Sequence, residues 1–201
     1  MSRYATSFVL GYHGCDEEVG RKALAGEVSL LRSERDYDWL GPGVYFWEGD
    51  PGRAREWAEE KVARGAYKKP FVLGAVIDLG NCLDLLVREN LDWLKIAYES
   101  LAASHEKSGL ALPRNKDIKG STTNDKLLRN LDCAVIRRLH SILEQKDDLP
   151  RGTEALAPFD TVRGLFTEGE PAYPDGGFYL KSHTQIAVCN DACIKGLFLP
   201  R

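Results

Sequence analysis

GPGVYFWEGDP, residues 41–51, changes from one kind of structure to another within a few residues. Val44 to Trp47 has the β-branched and aromatic character of a strand. Asp50-Pro51 is a strong helix start, because Asp accepts from the free first-turn amides and Pro lacks a donor that would otherwise be left unpaired. The glycines flanking Pro42 let the chain turn tightly just before three large rings, Tyr45, Phe46 and Trp47. The helix is expected over residues 51–64, stopping at Gly65. Ala54, Trp57, Ala58, the stem of Lys61 and Val62 recur at spacings of three and four and form its inward face.

Upstream, residues 7–12 read as a buried strand that ends in turn material, His13-Gly14-Cys15-Asp16, and so delivers a histidine at its C-terminal end. Residues 17–25 read as a short helix closed by Gly26, and 27–31 as a short strand. Downstream, the apolar run 71–79 reads as a central strand. Leu91, Leu94, Tyr98 and Leu101 follow helical spacing behind Asn90 as cap, and Leu127, Leu128, Leu131, Val135, Ile136, Leu139 and Leu143 follow it again. Residues 107–124 between them, rich in Gly, Pro, Ser, Thr and Lys, read as an exposed loop. Four short strands are expected at 161–166, 177–180, 184–188 and 196–199. Strands, helices, then strands make one α+β domain over residues 1–201, with a helical insert at about 85–150 and a sheet built from both chain ends.

The chain has 201 residues, 43% hydrophobic, enough for one ordinary core, and a net charge of -3. No global positive field gathers nucleic acid or anionic lipid. No apolar run of about 18 residues and no secretory signal occur, so a cytoplasmic protein without a membrane partner is expected. Five widely spread cysteines, an odd number, point to reduced thiols. Cys189 and Cys193 have no second pair at ligand spacing, and no metal is expected. Gly41-Pro-Gly43 lacks the third glycine of a dinucleotide fingerprint, since Phe46 stands there. GxxxxGK[ST], HExxH and GxSxG are absent.

Three separated pieces remain: Tyr12-His13-Gly14, the run from Gly41 to Phe46, and His183-Thr-Gln185-Ile-Ala-Val188. Together they resemble the ADP-ribosyltransferase superfamily, in the branch with a His-Tyr-Glu triad that includes the poly(ADP-ribose) polymerases and diphtheria toxin. The resemblance spans most of the chain. Ala54-Arg-Glu-Trp-Ala58 resembles the helix after the tyrosine strand in small bacterial members. What it implies is a split β-sheet core with a helical insertion and NAD as co-substrate, with ADP-ribose passed to a macromolecule as nicotinamide leaves. The triad positions are His13, Tyr45 and Gln185. His13 would donate to a ribose hydroxyl. Gly14, without a Cβ, would let its backbone approach the nicotinamide carboxamide. Tyr45 would stand against the nicotinamide, an offset stack worth about 0.5–1.5 kcal/mol beyond burial, with Phe46 and Trp57 completing the pocket; Trp57 reads equally as packing beneath the sheet.

Gln185 stands where the family carries glutamate. Breaking the bond to nicotinamide builds positive charge on the ribose, which a carboxylate stabilises and an amide does not. Glutamine still bonds a ribose hydroxyl and keeps positioning. The loop before the third triad strand is where the family holds target-recognition elements, so Glu168 and Glu170, with Asp175, are candidates for activating the acceptor; the competing description is a solvated turn. Arg163 would meet NAD phosphates or a carboxylate such as Asp160. Arg114, Lys116, Lys119, Lys126 and Arg129 form a weak nucleic-acid signal diluted by nearby Asp residues. His105 and His140 are expected to face solvent. By family analogy the protein would be a toxin or phage-defence effector, with a protein or nucleic-acid acceptor and a cognate inhibitor among its partners. Two other readings stay open: a module that binds NAD or ADP-ribose without turnover, and an RNA 2′-phosphotransferase of the same superfamily, which the missing Arg-rich groove disfavours.

Overall fold

The computed structural model describes residues 8–118, 125–145 and 157–201. The chain begins with strand β1 (Phe8–Asp16), helix α1 (Glu17–Leu24), strand β2 (Val44–Glu48), helix α2 (Pro51–Ala63) and strand β3 (Pro70–Asp78). A short β4 (Cys82–Asp84) leads into α3 (Asn90–Ser108). Next come β5 (Asn115–Lys116) and β6 (Leu128–Arg129), paired as a small ribbon, and then α4 (Asn130–Gln145). Strands β7 (Thr161–Phe166), β8 (His183–Val188) and β9 (Ile194–Phe198) follow. The protein is mixed α+β.

Local chemistry accounts for the helix ends. Asp50 Oδ1 accepts from the Arg53 amide at 2.8 Å and Pro51 opens α2; Gly65, at φ +72, follows its end. Asp16 caps α1 by accepting from the Glu18 amide at 3.1 Å. Asn90 does not cap α3: it is the first residue of that helix, and its Nδ2 donates instead to the Asp84 carbonyl at 2.8 Å.

Seven strands form one sheet in the order β4-β7-β8-β2-β1-β3-β9, so strands from the two chain ends interleave. β4 and β7 run parallel and the other neighbours antiparallel. β1 matches β3 residue for residue from Phe8 opposite Asp78 to Asp16 opposite Pro70. It meets β2 only through Gly11 opposite Glu48 and Tyr12 opposite Trp47, and the sheet is nearly divided there. Side chains alternate along each strand. One face carries Phe46, Leu73, Ile77, Ile186 and Val188, packed with Ala23 of α1. The other carries two separate clusters. Trp47 and Val72 lie with Ala54 and Trp57 of α2; Leu83, Val162 and Ala187 lie with Ala97 of α3 and Ile136, Leu139 and Leu143 of α4.

Three further local expectations change. β1 continues through His13 to Asp16, because the β3 partner edge runs its whole length and overrides the turn character of His-Gly-Cys-Asp. Residues 27–31 form no strand, although Leu30 is buried in the core. Residues 177–180 contribute only an isolated bridge between Tyr179 and Pro171, and Phe178 and Leu180 are exposed. β7 and β8 pair directly with each other, and their remaining edges are taken by β4 and β2.

Candidate functional site

β1, β2 and β8 are consecutive in the sheet, so His13, Tyr45 and Gln185 lie on three neighbouring strands. Alternation puts Tyr45, Trp47 and Gln185 on one face, the face of α2 and α4; Trp47 stands opposite Gln185 in the ladder. His13 stands opposite Leu73 in the β1–β3 ladder, on the other face of the sheet, where β1 and β2 part. Its Nδ1 is 2.8 Å from the Tyr45 carbonyl, and its ring lies 5.6 Å from that of Phe46. A carbonyl only accepts, so Nδ1 carries the proton. Burial pushes the imidazole pKa down against the effect of that bond. The neutral ring therefore offers Nε2 as an acceptor, whereas a donor was expected.

The Tyr45 hydroxyl accepts from the Leu40 amide at 3.0 Å and donates to the Gly41 carbonyl at 2.8 Å. It closes the turn before its own strand, where Gly41 has φ +78. Burial holds its pKa well above the ordinary phenol value. Phe46 is wholly buried on the opposite face, where it serves as core and not as a wall beside Tyr45. Gln185 Oε1 accepts from Trp39 Nε1 at 2.7 Å. Gly164, opposite Gln185 on β7, makes room for that indole: a Cβ at 164 would come within 2.7 Å of it. Gly14 has a similar reason, for a Cβ there would stand 2.2 Å from the Ala54 carbonyl of α2. Its missing Cβ lets the helix approach. Trp57 is half-buried beside that point, 5.9 Å from the Trp47 ring, with Lys61 Nζ 4.3 Å from its centroid.

Between the two clusters on this face lies a group of polar side chains. Arg53 Nη2 reaches the Glu168 carboxylate at 3.2 Å. Glu168 Oε2 lies 3.9 Å from His183 Nδ1, which faces the Lys181 carbonyl at 2.6 Å. Burial lowers the His183 pKa, so this ring is also a neutral Nδ1–H tautomer. It stacks on Phe166 at 5.6 Å, and Arg129 Cζ covers the Phe166 ring from 4.3 Å. Glu168 is thus buried and paired; Glu170 and Asp175 are exposed.

Sequence reasoning missed Trp39, Arg53 and His183 as members of this region. Two of them left a signal. Arg53 precedes Trp57 by one helical turn and shares its face, and His183 precedes Gln185 by two strand positions and shares its face. Trp39 sits in irregular chain and left none. Arg163 binds Glu48 and Asp84, not Asp160. His140 is half-buried near Phe159, with its pKa lowered by burial, and does not face solvent. Of the basic group, Arg129 pairs with Asp132 at 3.4 Å, and Lys119 falls outside the described residues.

A cavity of about 490 Å³ opens between α3 and α4 against Trp39, Leu94, Tyr98, Val135 and Ile136. A second, of about 320 Å³, lies by Pro51, Arg55, Phe71 and Leu199. Neither is lined by His13, Tyr45 or Gln185. No helix among the described residues is long and apolar enough to cross a membrane. Comparison with protein-family models, with curated proteins and with solved structures gives no match.

Proposed function

We propose that the protein is an NAD-dependent ADP-ribosyltransferase that releases nicotinamide and passes ADP-ribose to a macromolecular acceptor. The observation that carries this reading is the adjacency of β1, β2 and β8, which brings three motifs far apart in sequence onto neighbouring strands. The near-division of the sheet at His13 supports it further, as the ring's Nε2 is left to accept from a ribose hydroxyl. Trp57, half-buried beside Trp47, offers an aromatic ring to a pyridine.

Incubation of NAD carrying a label on its adenylate half with cell lysate and the protein tests this, with nicotinamide release followed in parallel. Label that survives nuclease but not protease marks a protein acceptor; the reverse marks nucleic acid. Absence of release at any lysate concentration ends the transferase reading.

A second reading, a module that binds NAD or ADP-ribose without turnover, is favoured by the amide at position 185 and by the capture of its oxygen by Trp39. Under it, NAD raises the melting temperature while no nicotinamide appears, and Gln185→Glu starts release.

A further inference from the structure

Four buried side-chain nitrogens among the described residues have no hydrogen-bond acceptor, and three of them sit together: Trp47 Nε1, Arg53 Nε and Arg53 Nη1. An unmet buried donor destabilises the fold, and more so when it is charged. Such a group in a native fold calls for an explanation, such as a catalytic role or a water or ion that completes the bonding. Trp47 is 5% exposed, the Arg53 side chain 10%, and the guanidinium carbon lies 5.9 Å from the Trp47 ring. The nearest oxygen of Glu56 is 3.7 Å from Arg53 Nη1, too far for a hydrogen bond.

A carboxylate adjoins these donors. Glu168 pairs with Arg53 and lies beside His183, which shares a strand face with Gln185, and Trp47 stands opposite Gln185 in the β2–β8 ladder. In NAD cleavage the C1′–N bond breaks with its electron pair leaving on nicotinamide, and the ribose is left cationic. An acceptor oxygen or nitrogen then bonds to C1′ and gives up its proton. A carboxylate can face the cation and take that proton. An amide does neither.

We propose that Glu168 is the carboxylate of this site, supplying the charge and the proton acceptor that Gln185 lacks, while the unmet N–H groups of Trp47 and Arg53 receive oxygen atoms from the nicotinamide-ribose half of the dinucleotide. The proposal rests on the transferase reading above. Arg53 has a second part in it, since its charge offsets the cost of burying the carboxylate.

The test measures nicotinamide release and the KM for NAD in wild type, Glu168→Gln, Trp47→Phe and, as a surface-charge control, Glu59→Gln, each with a melting curve. Glu168→Gln is expected to lower kcat about 100-fold with KM within about threefold, the pattern of a group that acts in the transition state. Trp47→Phe, which loses one N–H and keeps a ring, raises KM about fivefold. Glu59→Gln changes nothing. If the glutamine variant does not fold, Glu168→Asp decides: it keeps the charge and sets it back by one methylene, so a kcat about tenfold lower supports the proposal and an unchanged kcat overturns it. Wild-type protein that releases nicotinamide, with Glu168→Gln within about threefold of it in kcat, removes this proposal alone. Wild-type protein that releases none removes the transferase reading and this proposal together.

Discussion

Two arginines on opposite faces of the same sheet are bound in different ways. Arg163 on β7 spends every nitrogen: Nε and Nη2 reach the two Glu48 oxygens at 2.5 and 3.0 Å, and Nη1 reaches Asp84 at 2.9 Å. Its pKa is raised, first through the bond to Glu48. Arg53 at the start of α2 spends one nitrogen on Glu168 and leaves two buried with no acceptor among the described residues. The first network is completed by the chain itself. The second leaves bonding capacity unused among the described residues, next to Trp47, the ladder partner of Gln185.

The strongest way to break this comparison is to remove Arg163. Arg163→Met leaves Glu48 and Asp84 partly buried with no cation and should cost about 3 kcal/mol of unfolding free energy, read as a lower urea midpoint at unchanged slope. The folded fraction should keep its KM for NAD. On the other side, replacing the whole pair, Arg53→Met with Glu168→Leu, should leave stability within about 1 kcal/mol of wild type, because a buried ion pair exchanged for packed apolar groups is close to neutral. Nicotinamide release should nonetheless disappear. Equal destabilisation by the two changes would mean that both arginines are structural.

Trp39→Phe is milder. The ring keeps its place against Phe166, while Gln185 loses its donor, for about 1 kcal/mol in a melting curve. The gentlest test is pH. Burial lowers the pKa of His13, His140 and His183 below the ordinary value of 6.5, so the unfolded chain takes up protons before the folded one does. Their contribution to stability is therefore complete above about pH 6.5 and is lost as pH falls through the lowered values. The melting temperature should drop between pH 7.5 and 5.5. The Arg163 guanidinium stays charged throughout.

Much of the local structure was legible because short-range chemistry sets it. Asp50-Pro51 with Gly65 bounded α2, the β-branched and aromatic character of Val44 to Trp47 marked β2, and helical spacing marked α3 and α4. Where reading failed, a distant partner decided. The β3 edge drew His13 into a strand, and the pairing of β7 with β8 left residues 177–180 outside the sheet, bridged only to residues 170–172. The site divided along the same line. His13, Tyr45 and Gln185 stand in recognisable local runs, but Trp39, Arg53 and the burial of Glu168 depend on contacts across more than a hundred positions for Trp39 with Gln185 and for Arg53 with Glu168.

Much of the helix and strand pattern follows from the sequence alone, as do the strand settings of Tyr45 and Gln185; caps, turns and side-chain periods act within a few residues and need no partner. Only the tertiary structure decided that β1, β2 and β8 lie side by side, that the Tyr45 hydroxyl and the Gln185 oxygen are already engaged, and that Glu168 is buried against an arginine with donors to spare. Strand order and the pairing of buried charges are set by which surfaces exclude water together, and that depends on the whole chain at once.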